Sequence, residues 1–123
     1  MIIGLGVDIV EIPRIGRIYG RFGQRFLEKI FTPEELDALP PASASALAGR
    51  FAAKEAAVKA LGTGFSRGIG PRQIAIGHDS RGGPRITFLG RADERRGEIG
   101  VRRALLSISH ERSMALAVVV LEA

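Results

Sequence analysis

Cysteine is absent from the 123 residues, which excludes a disulfide framework, a thiolate zinc site and a cysteine nucleophile. Histidine occurs only at His78 and His110, so a multi-histidine metal site is excluded as well. Aromatic residues make up 6% of the chain, too few for the stacking platforms of single-stranded nucleic-acid binders. The longest uncharged apolar run, Met114 to Leu121, falls far short of the roughly 20 residues a membrane-spanning helix needs. The N-terminal stretch MIIGLGVDIVEIPR has no basic leader and carries an aspartate within its apolar run, unlike a signal peptide. The expected compartment is the cytoplasm. Lysine is scarce: of 18 basic residues only Lys29, Lys54 and Lys59 are lysine, and the rest are arginine.

What remains is the composition of an ordinary globular chain, 46% apolar and 25% charged. Its length predicts a single domain over residues 1–123 with a real hydrophobic core. Glycine, at 16 residues, is about twice as frequent as usual, so several positions require tight turns or close backbone approach. The net charge of +5, carried mostly by arginine, suits phosphate and carboxylate partners. Charge alone does not choose among nucleic acid, phosphorylated cofactors and acidic proteins. No RNA- or DNA-binding motif accompanies it, and acids within the site would repel such a ligand, so no nucleic-acid partner is expected.

Residues 2–10 (IIGLGVDIV) alternate as a strand, with Ile3, Leu5, Val7 and Ile9 on one face and Gly4, Gly6 and Asp8 on the other. Pro13 is placed to open a helix, and residues 14–30 keep helical periodicity with breaks at Gly16, Gly20 and Gly23. Thr32-Pro33-Glu34-Glu35 starts another helix, stopped by Pro40-Pro41. The clearest helix spans 43–61, capped by Ser43 or Ser45, filled with alanine and ended by Gly62. An irregular Gly-rich loop follows over 62–71. Residues 73–78 and 84–88 read as a hairpin, 89–99 as a short polar helix, and 102–110 and 114–121 as two final strands. The last strand is apolar on both faces, which predicts a central place. This order predicts an α+β fold, a small, mostly antiparallel sheet packed against a long central helix.

The 43–61 helix carries a core stripe of Leu47, Phe51, Val58 and Leu61, and Lys54 falls inside it. A lysine there costs free energy unless it snorkels or meets an anion. Glu55 and Lys59 share a neighbouring edge, either as a simple i,i+4 surface pair or as part of a site. Asp8 is an acid within an apolar strand and needs a partner: a core arginine, backbone donors, or a hard divalent ion. Magnesium takes one or two carboxylates plus phosphate and water, a number Asp8 and Glu55 would supply. Gly62-Thr63-Gly64 follows a helix end; it is either a C-cap or, beside Lys54 and Lys59, a source of amides for phosphate. Arg14, Arg17, Arg21 and Arg25 follow a 3-4-4 spacing beside an apolar band of Ile15, Ile18, Tyr19, Phe22 and Phe26. The row is either a solvated face or a docking surface for an acidic partner. His110 ends a strand on the face of Leu106 and Ile108; His78 is a surface residue.

GLGVDIVEIPR at 4–14, GRFAAKEAAVKALGTG at 49–64 and SISHERSMALAVVV at 107–120 together resemble the short-chain 4'-phosphopantetheinyl transferase family, the holo-[acyl-carrier-protein] synthases. The resemblance covers nearly the full length in order and spacing. It implies that coenzyme A binds with magnesium and that a serine of apo acyl carrier protein attacks the β-phosphorus. The 4'-phosphopantetheine arm is transferred and 3',5'-ADP leaves. Asp8 and Glu55 match the metal ligands, with Glu55 or a metal-bound water as the base. Lys59 matches the lysine at the leaving phosphate, and Arg50 and Lys54 match basic positions near the coenzyme A phosphates. Gly62, Thr63 and Gly64 match the loop alongside the nucleotide and His110 a nucleotide-side position. Arg14, Arg21 and Arg25 lie where the family receives its acidic carrier protein. Longer relatives place a further acid two residues after the strand aspartate. Here that residue is Val10, with Glu11 offset by one and expected to face away, so two protein carboxylates are expected on the metal. The family also implies a homotrimer with a site in each subunit interface.

Overall fold

The computed structural model describes residues 1–39 and 43–123, so the expected stop at Pro40-Pro41 lies outside the described residues. The chain runs β1 (Ile2–Glu11), α1 (Ile12–Phe22), α2 (Gln24–Ile30), α3 (Pro33–Ala38), α4 (Ala44–Ala60), a single 3-10 turn (Pro71–Gln73), β2 (Ile74–His78), β3 (Pro84–Phe88), α5 (Gly90–Glu98), β4 (Arg103–His110) and β5 (Met114–Glu122). β1, β5 and β4 form one antiparallel sheet with β5 in the middle, as its doubly apolar sequence requires; β2 and β3 form a separate hairpin.

Sequence chemistry accounts for the element ends. Gly23 adopts φ +57°, a left-handed conformation that favours glycine, and there the periodic stretch 14–30 divides into α1 and α2. Thr32 and Glu35 close a reciprocal capping box at the start of α3. The Ser43 hydroxyl accepts from the Ala46 amide at the start of α4.

The sheet is two-faced in an unusual sense. Gly4, Gly6 and Asp8 lie on the face that packs on α4, opposite the buried Leu121, Val119 and Ala117 of β5. A methyl group added at Gly4 would overlap the Ala60 carbonyl oxygen, and one at Gly6 the Ala56 carbonyl oxygen. The helix therefore lies directly on the strand backbone. Leu5, Val7 and Ile9, the expected apolar face of β1, instead point away from α4 and are 52–66% exposed. Ile3 departs from their alternation, because a bulge between Ile2 and Gly4 sends it against the core. α4 is buried on most of its circumference, not along one stripe: Leu47, Val58 and Leu61 are buried as expected, Phe51 is half-buried, and a run of alanines covers the rest.

Because the strand and helix backbones touch at Gly6, Gly6→Ala should destabilise the fold by about 1–3 kcal/mol through overpacking. Urea unfolding of the two proteins measures the difference, and an unchanged midpoint would contradict the close contact.

Candidate functional site

Asp8 is carried on β1 two residues past Gly6, and Glu55 and Lys59 sit one turn apart on the part of α4 that the glycines let approach. The Lys59 Nζ donates to Asp8 Oδ1 at 3.0 Å and to the Val7 carbonyl at 3.1 Å. Lys59 thus reaches across to the strand, and the simple Glu55–Lys59 surface pair does not form among the described residues. Asp8 is mostly buried and Lys59 half exposed. The Glu55 carboxyl titrates above its ordinary range, first because burial penalises its charge and then because Asp8 repels it; Lys59 offsets only part of this.

The two carboxylates open into one cleft of about 450 Å³, bordered also by Glu11, Arg14, Phe51 and Met114. Glu11, expected to face away, stands at the exposed rim of this cleft but does not join Asp8 and Glu55 in a three-acid group; no such metal-binding group exists among the described residues. Two carboxylates with incompletely compensated repulsion suit a hard dication whose other positions are filled by water and phosphate oxygen. Lys59 and Arg14 add positive charge at the edges, so the cleft can take a cation and a phosphate ester together.

Other expected site residues lie elsewhere. Lys54 does not reach a phosphate: its ammonium is fully buried, donating to Glu35 Oε1 at 2.7 Å and to the Pro71 and Ile74 carbonyls at 2.9 and 2.6 Å. Burial lowers its pKa, with Glu35 opposing the shift. All three ammonium donors are engaged within the core, which corrects its assignment to coenzyme A. The amides of Gly62, Thr63 and Gly64 donate to the Lys59 and Val58 carbonyls at 3.0–3.2 Å. They close the helix end as a C-cap, with Gly62 at φ +79°, and are not available to cradle phosphate. Arg50 is half-buried near Glu35, with Nη1 3.5 Å from the Ala46 carbonyl. Five residues before Glu55, it projects on the far side of α4.

His110 is exposed at the end of β4, over a hollow that shares Ile9 and Met114 with the cleft. Arg14, Arg17 and Arg21 stand exposed on α1 without an acidic partner among the described residues, whereas Arg25 lies beyond the Gly23 break on α2. The arginine row is therefore bent. It borders an apolar groove lined by Ile18, Phe22 and Phe26, with Arg25 and Lys29 beside them. Sequence reasoning missed Glu35 as the partner of Lys54. Its only signal, an acid in the first turn after a Thr cap, describes a helix start rather than a buried ion pair.

The fold and this cleft define a class. The chain belongs to the 4'-phosphopantetheinyl transferase superfamily, whose pattern matches residues 4–119. Within it the chain is of the holo-[acyl-carrier-protein] synthase type. The holo-[acyl-carrier-protein] synthase of Desulfovibrio desulfuricans is 54% identical over 123 residues, covering 100% of this chain and 99% of that protein. The crystal structure of holo-[acyl-carrier-protein] synthase from Neisseria meningitidis matches with a TM-score of 0.89 and 44% identity, covering 100% of both chains. The Helicobacter pylori enzyme in complex with coenzyme A matches with a TM-score of 0.86 and 35% identity, over 96% of this chain and 99% of that one.

Glu55 binds its proton more tightly in the folded than in the unfolded chain, so between its ordinary and its raised pKa the native state holds more protons. In metal-free buffer, stability contributed at this site should fall as pH rises through that interval. Glu55→Gln should remove the fall and leave the variant more stable than the parent at neutral pH. Thermal melts with chelator across pH 4–8 would test this, and equal pH profiles would refute it.

Proposed function

We propose that this chain, as one domain over residues 1–123, transfers the 4'-phosphopantetheine group from coenzyme A to a serine of apo acyl carrier protein, with magnesium, releasing 3',5'-ADP. The observation that carries the reading is the meeting of Asp8 and Glu55, 47 positions apart, in one cleft that Arg14 also lines, with Lys59 paired to Asp8 at its edge. Phosphoryl transfer needs positioning and charge neutralisation more than covalent chemistry from the protein. Asp8 and Glu55 would hold the magnesium ion, which supplies Lewis-acid neutralisation of the diphosphate. Lys59, anchored at the Val7 carbonyl and half exposed, would be free to meet the leaving phosphate once a ligand competes for Asp8. Glu55 or a water molecule beside it would take the serine proton. The Gly62–Gly64 turn contributes shape beside Lys59, not amide donors.

Arg14 belongs both to the cleft and to the exposed arginine row. An acidic carrier protein lying on Arg14, Arg21 and Arg25 would therefore have its serine delivered to the cleft mouth. A homotrimer is the proposed assembly. Leu5, Val7, Ile9, Leu105 and Leu116 form an open apolar sheet face, and a second copy covering it would shield that surface from water. The same neighbour would bring its own Arg50 and His110, which a single chain does not gather with Lys59, to the nucleotide. No described helix is long and apolar enough to cross a membrane, and the proposed compartment is the cytoplasm.

Incubating the protein with coenzyme A, magnesium and apo carrier protein should add the mass of one phosphopantetheine group, read by mass spectrometry. Asp8→Ala or Glu55→Ala should abolish that gain while circular dichroism stays native; retained transfer in either variant would overturn the reading.

Arg14→Glu or Arg21→Glu should raise the KM for carrier protein more than the KM for coenzyme A. Equal increases would remove the docking assignment.

A further inference from the structure

Lys54 immediately precedes Glu55, yet its ammonium is turned into the core and has no place in the proposed ligand site. We propose that Lys54 and Glu35 are positioning residues: their buried pair fixes the rotation of α4 and so holds the Glu55 carboxylate beside Asp8. The inference rests on the magnesium reading of that carboxylate pair.

The need for such a lock follows from how α4 meets the sheet. Gly49, Ala56 and Ala60 contact Ile108, Gly6 and Gly4, an interface of small side chains against bare backbone. It permits close approach but presents few knobs to resist a turn of the helix about its axis. Lys54 supplies what that face lacks, three short directional hydrogen bonds to three separate pieces of chain. It donates to Glu35 on α3, to Pro71 in the 3-10 turn and to Ile74 at the start of β2.

Glu35 is itself held. Its Oε1 also accepts from the Thr32 amide at 2.9 Å, and its Oε2 accepts from the Ile76 amide at 3.1 Å. Every polar atom of the pair is satisfied. A buried ion pair is seldom more stabilising than well-packed apolar residues of the same volume, and its better-attested use is to specify one arrangement. Here the arrangement specified is the angle at which Glu55, 100° further round the helix, meets β1. A side-chain carboxylate lies roughly 6 Å from the helix axis, so a turn of about 10° displaces it by ~1 Å. Misplacement of that size can lower a rate by about 100-fold.

The test compares wild type with Lys54→Met/Glu35→Gln, which removes both charges, and with Thr32→Ala. The latter keeps both charges but deletes the hydroxyl that accepts from the Glu35 amide at 3.2 Å. Free Mn²⁺ measured by electron paramagnetic resonance gives metal affinity without turnover, and steady-state assays give kcat and KM for coenzyme A. The double variant should bind Mn²⁺ about tenfold more weakly, as loss of outer-shell support does. Its kcat should fall in parallel while KM for coenzyme A stays within about twofold, the mark of an interaction made in the transition state. Thr32→Ala should move both quantities in the same direction by about two- to threefold. A double variant that melts cooperatively and binds Mn²⁺ as tightly as wild type would overturn the inference and reduce the pair to a packing device. Should the double variant not fold, unchanged Mn²⁺ affinity in Thr32→Ala overturns it equally. If wild type itself fails to bind Mn²⁺, the magnesium reading falls first, and this inference with it.

Discussion

Two missing side chains decide the geometry of this protein. Gly4 and Gly6 give β1 a face without Cβ atoms, and the Ala60 and Ala56 carbonyls of α4 occupy the space where methyl groups would stand. A helix carrying leucines on that side, or a strand carrying valines, would hold the two axes farther apart. At the observed separation Lys59 reaches both the Asp8 carboxylate and the Val7 carbonyl, and Glu55 feels the charge of Asp8. The cleft, its electrostatics and the orientation of the arginine-bearing α1 all inherit that contact.

The two lysine–acid pairs of α4 illustrate opposite uses of the same chemistry. Lys54–Glu35 is wholly buried and fully hydrogen-bonded, so neither partner is free to meet a ligand. Lys59–Asp8 is half open to water, and Lys59 compensates the charge of Glu55 only in part. An exposed pair of this kind contributes little to stability, and its partners exchange readily for a cation or a phosphate. The core pair stabilises an arrangement; the cleft pair leaves charges that a diphosphate and its counter-ion can take up. Polar residues that break the local folding rules thus separate into those completed within the chain and those completed by ligand.

Much of this was legible in the sequence. Element types, the hairpin, the central place of β5 and a serine cap on α4, at Ser43 or Ser45, follow from turn residues, periodicity and apolar runs, which act over a few neighbouring positions. The oddity of Asp8 and of Lys54 was legible too, since each is a charge in an apolar pattern. Their partners were not, because Glu35 looks like any first-turn acid and lies 19 positions from Lys54. Whether the amides of 62–64 cap the helix or meet a phosphate stayed open for a related reason: glycine frequency announces unusual backbone but not where its donors point.

The sequence by itself determined local conformation, the list of chemically unusual residues and the family to which they belong, since these depend on neighbours along the chain. Only the tertiary structure decided which lysine is sealed in the core and which stands half exposed against Asp8. It also decided that the leucine–valine–isoleucine face of β1 is the open one. Both outcomes turn on what lies across the helix and the strand in space, and alternation along β1 is the same whichever face α4 covers. Backbone clearance at Gly4 and Gly6 breaks that symmetry, and clearance exists only once two elements meet.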